Sequence, residues 1–241
     1  MTLNRATELQ LLLRSAMKVH PMALLSSAKP VRQIWSTSRG VTGRVAVSAD
    51  QSAAHESSLE RDWLLCLALD RRVQRLLEQP FTMEYEHEGK SRKYTPDLHV
   101  DYSDGRNQWS VIYEVKYRDD LRDSWEQYRP RVRAAVGYCR ARGWRFKIVT
   151  DKDIRGTRLE NIRFLRRYER VPVQQDYRQA LLGTLAITGP TTPKSLLAAT
   201  YYDKERQMAA LCELWRLVLA GEIFSDLGSP LTMSSTIWST K

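Results

Sequence analysis

The sequence predicts an α/β protein: a helix, three antiparallel strands, a second helix and a fourth strand, followed by a mostly helical C-terminal segment. Three observations predict it. Leu59, Trp63, Leu64 and Leu67 recur at helical spacing directly after Ser57-Ser58. Val111-Ile112-Tyr113-Glu114-Val115-Lys116 is a short apolar run that reads as a strand, and Asp104-Gly105 before it is a hairpin signal. Trp125, Tyr128, Val132, Ala135, Val136 and Cys139 then return to helical spacing, Gly143 closes that run, and Phe146 to Thr150 reads as a short buried strand. That order makes an α/β sandwich of about 100 residues.

The remaining elements follow in order. Residues 1–28 read as a weakly amphipathic helix and a linker. Ser57 is the expected N-cap of the first helix. Val73 to Leu77 reads as the end of that helix, and Phe81 to Tyr85 as the first strand, with Pro80 between them. The charged turn Glu88-Gly89-Lys90 leads to a strand through Leu98-His99-Val100. Pro130 cannot donate an interior helical hydrogen bond, so the second helix is expected to start or kink there, and Asp151 opens the turn after the last strand. Beyond residue 170, Asp176 to Ile187, the stretch from Thr192 and Asp203 to Ala220 read as three helices. Met208, Leu211, Leu214, Trp215 and Val218 form the inward stripe of the third. Gly221 to Phe224 and Ile237-Trp238 make a short hairpin, which with three helices predicts a winged helix. The expected domain limits are a basic arm at 1–48, a catalytic domain at 49–170 and the C-terminal domain at 171–241.

The 241 residues carry a formal charge of +10, unevenly spread. Residues 1–50 hold 7 basic against 2 acidic groups, 51–121 hold 10 against 14, 122–170 hold 15 against 6, and 171–241 hold 6 against 6. An acidic centre between basic flanks suits a metal pocket set in a surface that holds a polyanion. Cys66, Cys139 and Cys212 are odd in number, far apart and set in helical patterns, as in a reduced cytoplasmic protein. Their spacing excludes a zinc cluster, no apolar run reaches membrane-spanning length, and the N-terminus does not read as a signal peptide.

Tyr94-Thr95-Pro96-Asp97 and Glu114-Val115-Lys116 carry the chemistry. Side chains two apart on a strand share a face, so Glu114 and Lys116 point the same way. With Asp97 closing a hairpin beside that strand, two carboxylates can share one hard cation, as a Mg²⁺-dependent phosphodiesterase requires, with Lys116 near the attacking water. Glu60 has two readings: a capping-box carboxylate at the start of the first helix, or a third acid of the metal site, for which Glu56 could substitute. Arg32, Arg39 and Arg44 lie among Ser, Thr and Gly residues that let a backbone approach phosphates, and the stretch from Arg155 to Arg170 is densely basic. Within it Arg163, Arg166, Arg167 and Arg170 can line one helical face.

Taken together, Ser38-Arg39-Gly40, Thr42-Gly43, Glu56-Ser57, Leu59-Glu60, Tyr94-Thr95-Pro96-Asp97, Glu114-Val115-Lys116 and Thr150-Asp151 resemble TnsA, the endonuclease subunit of heteromeric cut-and-paste transposases, over roughly residues 30–155. The resemblance implies a restriction-endonuclease-like fold of the PD-(D/E)xK type. It also implies an active site of Glu60, Asp97, Glu114 and Lys116, in which Asp97, Glu114, the Val115 carbonyl and Glu60 hold Mg²⁺, with Mn²⁺ able to substitute. Gln stands at the Glu114 position in at least one member, which makes that acid less critical than Asp97 or Lys116. DNA contacts are then expected from Arg32, Arg39, Arg44, Arg155, Arg163, Arg166 and Arg167. The resemblance further implies double-stranded DNA at transposon ends as substrate, cut at the 5′ ends, with a DDE transposase (TnsB-like) and an AAA+ ATPase (TnsC-like) as partners, in the bacterial cytoplasm. The C-terminal domain, having no net charge, is expected to contact protein rather than DNA. Two other classes remain open: a stand-alone restriction or repair nuclease, and a non-catalytic scaffold that binds DNA and partners.

Overall fold

Ser57, Thr192 and Asp203 each accept a hydrogen bond through the side chain from the backbone N–H three residues on, and each opens a helix. The structure, a computed structural model, describes residues 43–46, 52–55 and 57–240. The expected N-terminal helix, Arg32, Arg39 and Glu56 lie outside the described residues, and of Arg44 only the backbone is described.

Along the chain, an antiparallel ribbon of β1 (Gly43–Ala46) and β2 (Ser52–His55) precedes α1 (Ser58–Ala68). There follow β3 (Val73–Glu78), β4 (Met83–His87), β5 (Lys90–Tyr94), β6 (Leu98–Ser103), β7 (Gln108–Lys116), α2 (Arg118–Asp123), α3 (Trp125–Arg140) and β8 (Arg145–Thr150). Then come α4 (Asp151–Ile154), α5 (Thr157–Leu165), a 3₁₀ turn at Arg166–Tyr168, α6 (Gln175–Thr188), α7 (Pro193–Thr200), α8 (Lys204–Ala220), β9 (Phe224–Ser225) and β10 (Ile237–Trp238). None of the described helices is long and apolar enough to cross a membrane.

The chain divides into two compact units, each drawn from separated stretches. One holds Arg72–Glu114 and Leu121–Ile148. Its sheet is mixed, in the order β3-β6-β7-β8, and both β3 and β7 run antiparallel to β6. Val73–Glu78, expected as the end of a helix, is instead a strand: Leu76, Leu77 and Glu78 pair with Val100, His99 and Leu98. Pairing with a preformed neighbour outweighs the ambiguous local pattern Val-Gln-Arg-Leu-Leu. The segment expected as the first strand belongs to a separate hairpin, in which β4 and β5 join through Glu88 and Gly89. Both loop residues have positive φ, 54° and 69°, the geometry a two-residue loop needs to match strand twist. α3 starts five residues before Pro130 and runs through it, with the Ser124 carbonyl accepting from both Gln127 and Tyr128. Met83, Tyr94 and Ala135 form a core with Phe81, Tyr85, Tyr138 and Phe146, where Phe81 stacks on Tyr138 at 4.6 Å.

The other unit holds Val115–Asp120 and the chain from Val149, together with β1, β2 and α1. Thr150 and Asp153 form a capping box that turns the chain from β8 into α4. The three expected C-terminal helices are present as α6, α7 and α8, and the β9–β10 pair closes on them. Leu181, Leu185, Leu196, Leu214, Trp215, Leu217 and Ile237 make their core. Leu165 of α5 is buried in the same cluster, so that core does not begin at residue 171. Asn161 of α5 also donates to the Leu227 and Ser229 carbonyls and accepts from Leu231 N–H. Met208, expected in the inward stripe of α8, is 73% exposed, and the buried stripe starts at Ala210.

Candidate active site

The antiparallel register of β6 and β7 ends at Leu98 opposite Tyr113, with Asp97 just before β6. The Asp97 N–H donates to the Tyr113 carbonyl at 3.1 Å, which departs from the regular ladder. The charges of Glu114 and Asp97 both act on the Tyr94 phenol, which brings the two expected acids near one group. Asp97 is pinned from its other side as well, its carbonyl accepting from Gln79 N–H at 2.8 Å. Pro96 fixes the approach, since its ring holds one backbone angle and biases Thr95 to extended conformations.

Glu114 is 3% exposed. Its Oε2 accepts a 2.5 Å hydrogen bond from the Tyr94 hydroxyl, at the end of β5. Burial pushes the Tyr94 phenol far above its usual range, and the negative charges of Glu114 and then Asp97 push the same way. The phenol therefore stays protonated and holds one carboxylate oxygen in place. Arg131 lies 5.8 Å from the Tyr94 ring centre and 3.6 Å from that of Tyr128. Further along the same face of β6, His99 Nε2 lies 3.0 Å from Asp101 Oδ1, which also accepts from Ser110 Oγ at 2.6 Å. Burial raises the Asp101 pKa, but the bonds from His99 and Ser110 outweigh it and leave the net value below normal.

β7 continues as one strand through Val115 and Lys116. Lys116 Nζ donates to the Val115 carbonyl at 3.1 Å, so an ammonium already sits on the carbonyl that the sequence assigns to a cation. Within the same unit, Ser58 at the start of α1 shares a 3.1 Å hydrogen bond with Tyr117 OH. Glu60 follows in that first turn. Its N–H donates to Ser57 Oγ at 3.1 Å, which makes Ser57 the N-cap, and the Ser57 hydroxyl donates to Glu60 Oε1 at 3.0 Å. Among the described residues no group of three or more His, Cys, Asp or Glu side chains is arranged to hold a metal. Within one unit the available donors are the Asp97 and Glu114 carboxylates, a fit for Mg²⁺, which keeps several waters and takes one or two carboxylates.

Residues 70–151 match the family model described as TnsA-like endonuclease N terminal, roughly a third of the chain. This stretch is similar to the N-terminal domain of TnsA-like endonucleases. No curated protein matches the sequence. Asp97, Glu114, Val115 and Lys116 all fall inside the TnsA-like stretch, whereas Glu60 and the arginines from Arg155 onward fall outside it.

The basic residues expected to face DNA divide by environment. Arg155 and Arg163 both reach the buried Asp62, at 3.2 and 2.7 Å. Arg166 pairs with Glu169 at 2.9 Å. The single helical face expected for Arg163, Arg166, Arg167 and Arg170 does not form, because α5 ends at Leu165 and a 3₁₀ turn carries Arg166 and Arg167. Three groups here carry no role expected from sequence: Tyr94, within its motif; His99, within its strand; and Asp62, which stands in no motif. A period-two reading from Asp97 through His99 to Asp101 carries the signal for His99.

Proposed function

We propose that the chain is a metal-dependent DNA endonuclease that cuts the 5′ ends of a mobile element, working with a DDE transposase subunit and an AAA+ ATPase. The observation that carries the proposal is that the charges of Asp97 and Glu114 both act on the Tyr94 phenol, with Lys116 two residues on from Glu114 along β7. Restriction-endonuclease-like geometry of the sheet and a winged-helix role for the C-terminal helices belong to the same proposal.

Asp97 and Glu114 would hold Mg²⁺ with the Val115 carbonyl and Glu60, and the ion would supply a hydroxide-like water and charge neutralisation at the phosphorus. The chain's own groups do the rest. Tyr94 fixes the orientation of Glu114 through a donor that brings no charge of its own. Lys116 places an ammonium where it can orient the attacking water and offset charge on the phosphoryl oxygens. The water oxygen bonds to phosphorus, the bond from phosphorus to O3′ breaks, and the products carry a 5′-phosphate and a 3′-hydroxyl. Basic groups outside the site hold the duplex. The segment 171–241, with 6 basic and 6 acidic groups, has little to attract phosphates and instead meets the partner proteins.

Calorimetric titration of Mn²⁺ into the full chain with a short duplex present tests this, wild type against Asp97→Ala. Binding that disappears in the variant is the expected result. Equal binding in both proteins would refute the assignment of Asp97 as a ligand.

A further inference from the structure

Asp62 on α1 has 1% of its side chain exposed, yet three guanidinium groups converge on it. Arg163 Nη2 lies 2.7 Å from Oδ1, Arg61 Nη2 lies 3.2 Å from the same oxygen, and Arg155 Nε lies 3.2 Å from Oδ2. Arg155 is fastened further: its Nη2 donates to Ser58 Oγ at 3.3 Å and Tyr117 OH at 3.2 Å, and its guanidinium lies 5.3 Å from the Tyr117 ring centre. Burial alone would raise the Asp62 pKa, but Arg163, then Arg61 and Arg155, outweigh it and bring the net value below 3.8.

A buried carboxylate needs one cation to balance its charge, and this one gathers three. The surplus is two positive charges held close together, an arrangement that like-charge repulsion disfavours unless another anion comes to it. The arginines are not sealed in with the acid: their side chains are 40%, 43% and 47% exposed for Arg61, Arg155 and Arg163. Each guanidinium carries five donors in a fixed fork, and the Asp62 bonds use only one from each of the three. Asp62 thus holds one donor of each guanidinium; Arg155 engages Nη2 with Ser58 and Tyr117 as well, and further donors remain on the three partly exposed side chains. Forked, exposed and pre-aligned guanidiniums are suited to phosphate oxygens. Tyr117, which holds Arg155, follows Lys116 directly in the sequence, and both lie in the same unit as the cluster.

We infer that Arg61, Arg155 and Arg163, aligned by Asp62, form a phosphate clamp for the nucleic-acid backbone flanking the bond to be cut. The ligand rests on the nuclease reading; the clamp itself rests on the cluster. Arg61 and Asp62 enter as new functional residues, the first binding phosphate and the second acting as a positioning residue.

Fluorescence anisotropy of a labelled duplex with the full chain, in EDTA over a salt series, tests it without any cleavage or metal. Arg163→Gln and Arg155→Gln are each expected to weaken binding about five- to tenfold and to lower the salt slope by about one. Asp62→Asn gives a test of sign. It adds a positive charge, so charge alone would tighten binding, whereas loss of the aligning carboxylate is expected to weaken it severalfold. Wild-type affinity and slope in both Arg→Gln variants would overturn the clamp and leave the nuclease reading intact. An absence of salt-sensitive binding in the wild type would overturn the nuclease reading and the clamp's ligand together. Thermal melts verify folding, and the two exposed-arginine variants decide the matter should Asp62→Asn fail to fold.

Discussion

Glu114 and Asp62 are both buried carboxylates in a basic protein, and their surroundings treat them in opposite ways. Asp62 is encircled by guanidiniums whose hydrogen bonds and charge outweigh its desolvation. Glu114 takes a hydrogen bond from a phenol on which the Asp97 charge also acts. Cationic partners consume a carboxylate's charge in holding the fold; a neutral donor fixes its direction. The contrast separates an acid that organises arginines from an acid that a phenol orients, the one proposed to meet a cation.

The sharpest way to break this contrast is to neutralise each acid by an isosteric amide. Asp97→Asn is expected to lower metal-dependent strand cleavage about a thousandfold in the reconstituted system, because the change removes a ligand charge that works at the reacting phosphate; the expected loss is smaller for Glu114→Gln, since the resemblance admits Gln at that position. The melting temperature of Glu114→Gln should stay near that of the wild type, since Tyr94 can still donate to the amide oxygen. A large drop in melting temperature would make Glu114 a structural acid like Asp62. Asp62→Asn is expected to show the reverse emphasis, losing about 2 kcal/mol of stability in urea unfolding as charge-assisted bonds to a buried group are weakened. An unchanged unfolding midpoint would mean that the arginines contribute nothing to holding α1.

Tyr94→Phe sharpens the comparison from the other side. Removing the hydroxyl leaves the Glu114 charge in place but frees its direction, so Mn²⁺ affinity should fall about tenfold, as outer hydrogen-bond partners of metal ligands typically contribute. Calorimetry reads this without turnover. Unchanged affinity would assign the phenol to packing in the core with Met83 and Ala135.

The difference between the two acids also separates what the sequence discloses from what it hides. The strand that carries Glu114 and Lys116 was legible because its spacing is local: two positions on one strand share a face through the strand period. The β4–β5 turn was legible for the same reason. Asp62 was not, because its partners Arg155 and Arg163 lie 93 and 101 residues away, and in sequence it shows only an adjacent arginine. β3 was misread because its apolar residues fit either period, and only pairing with β6 selects the strand. Met208 shows the limit of periodicity at helix ends, where a residue in phase with the stripe extends past the core.

The smallest expected effect concerns acid. Asp62 has a folded pKa below its ordinary 3.8, so the unfolded chain binds the proton more readily. The stability that Asp62 contributes is therefore fully present above that ordinary value, and is lost as pH falls through the lower folded value. The gap in unfolding free energy between wild type and Asp62→Asn should be constant from about pH 6 down to about pH 4, and should close below that as wild-type Asp62 takes up its proton. Half-exposed guanidiniums are screened by water and salt, which makes the closing gradual and weaker in high salt. A gap that persists unchanged at low pH would show that the cost of Asp62→Asn comes from packing of the amide, and that the arginines are held by something other than the charge on Asp62.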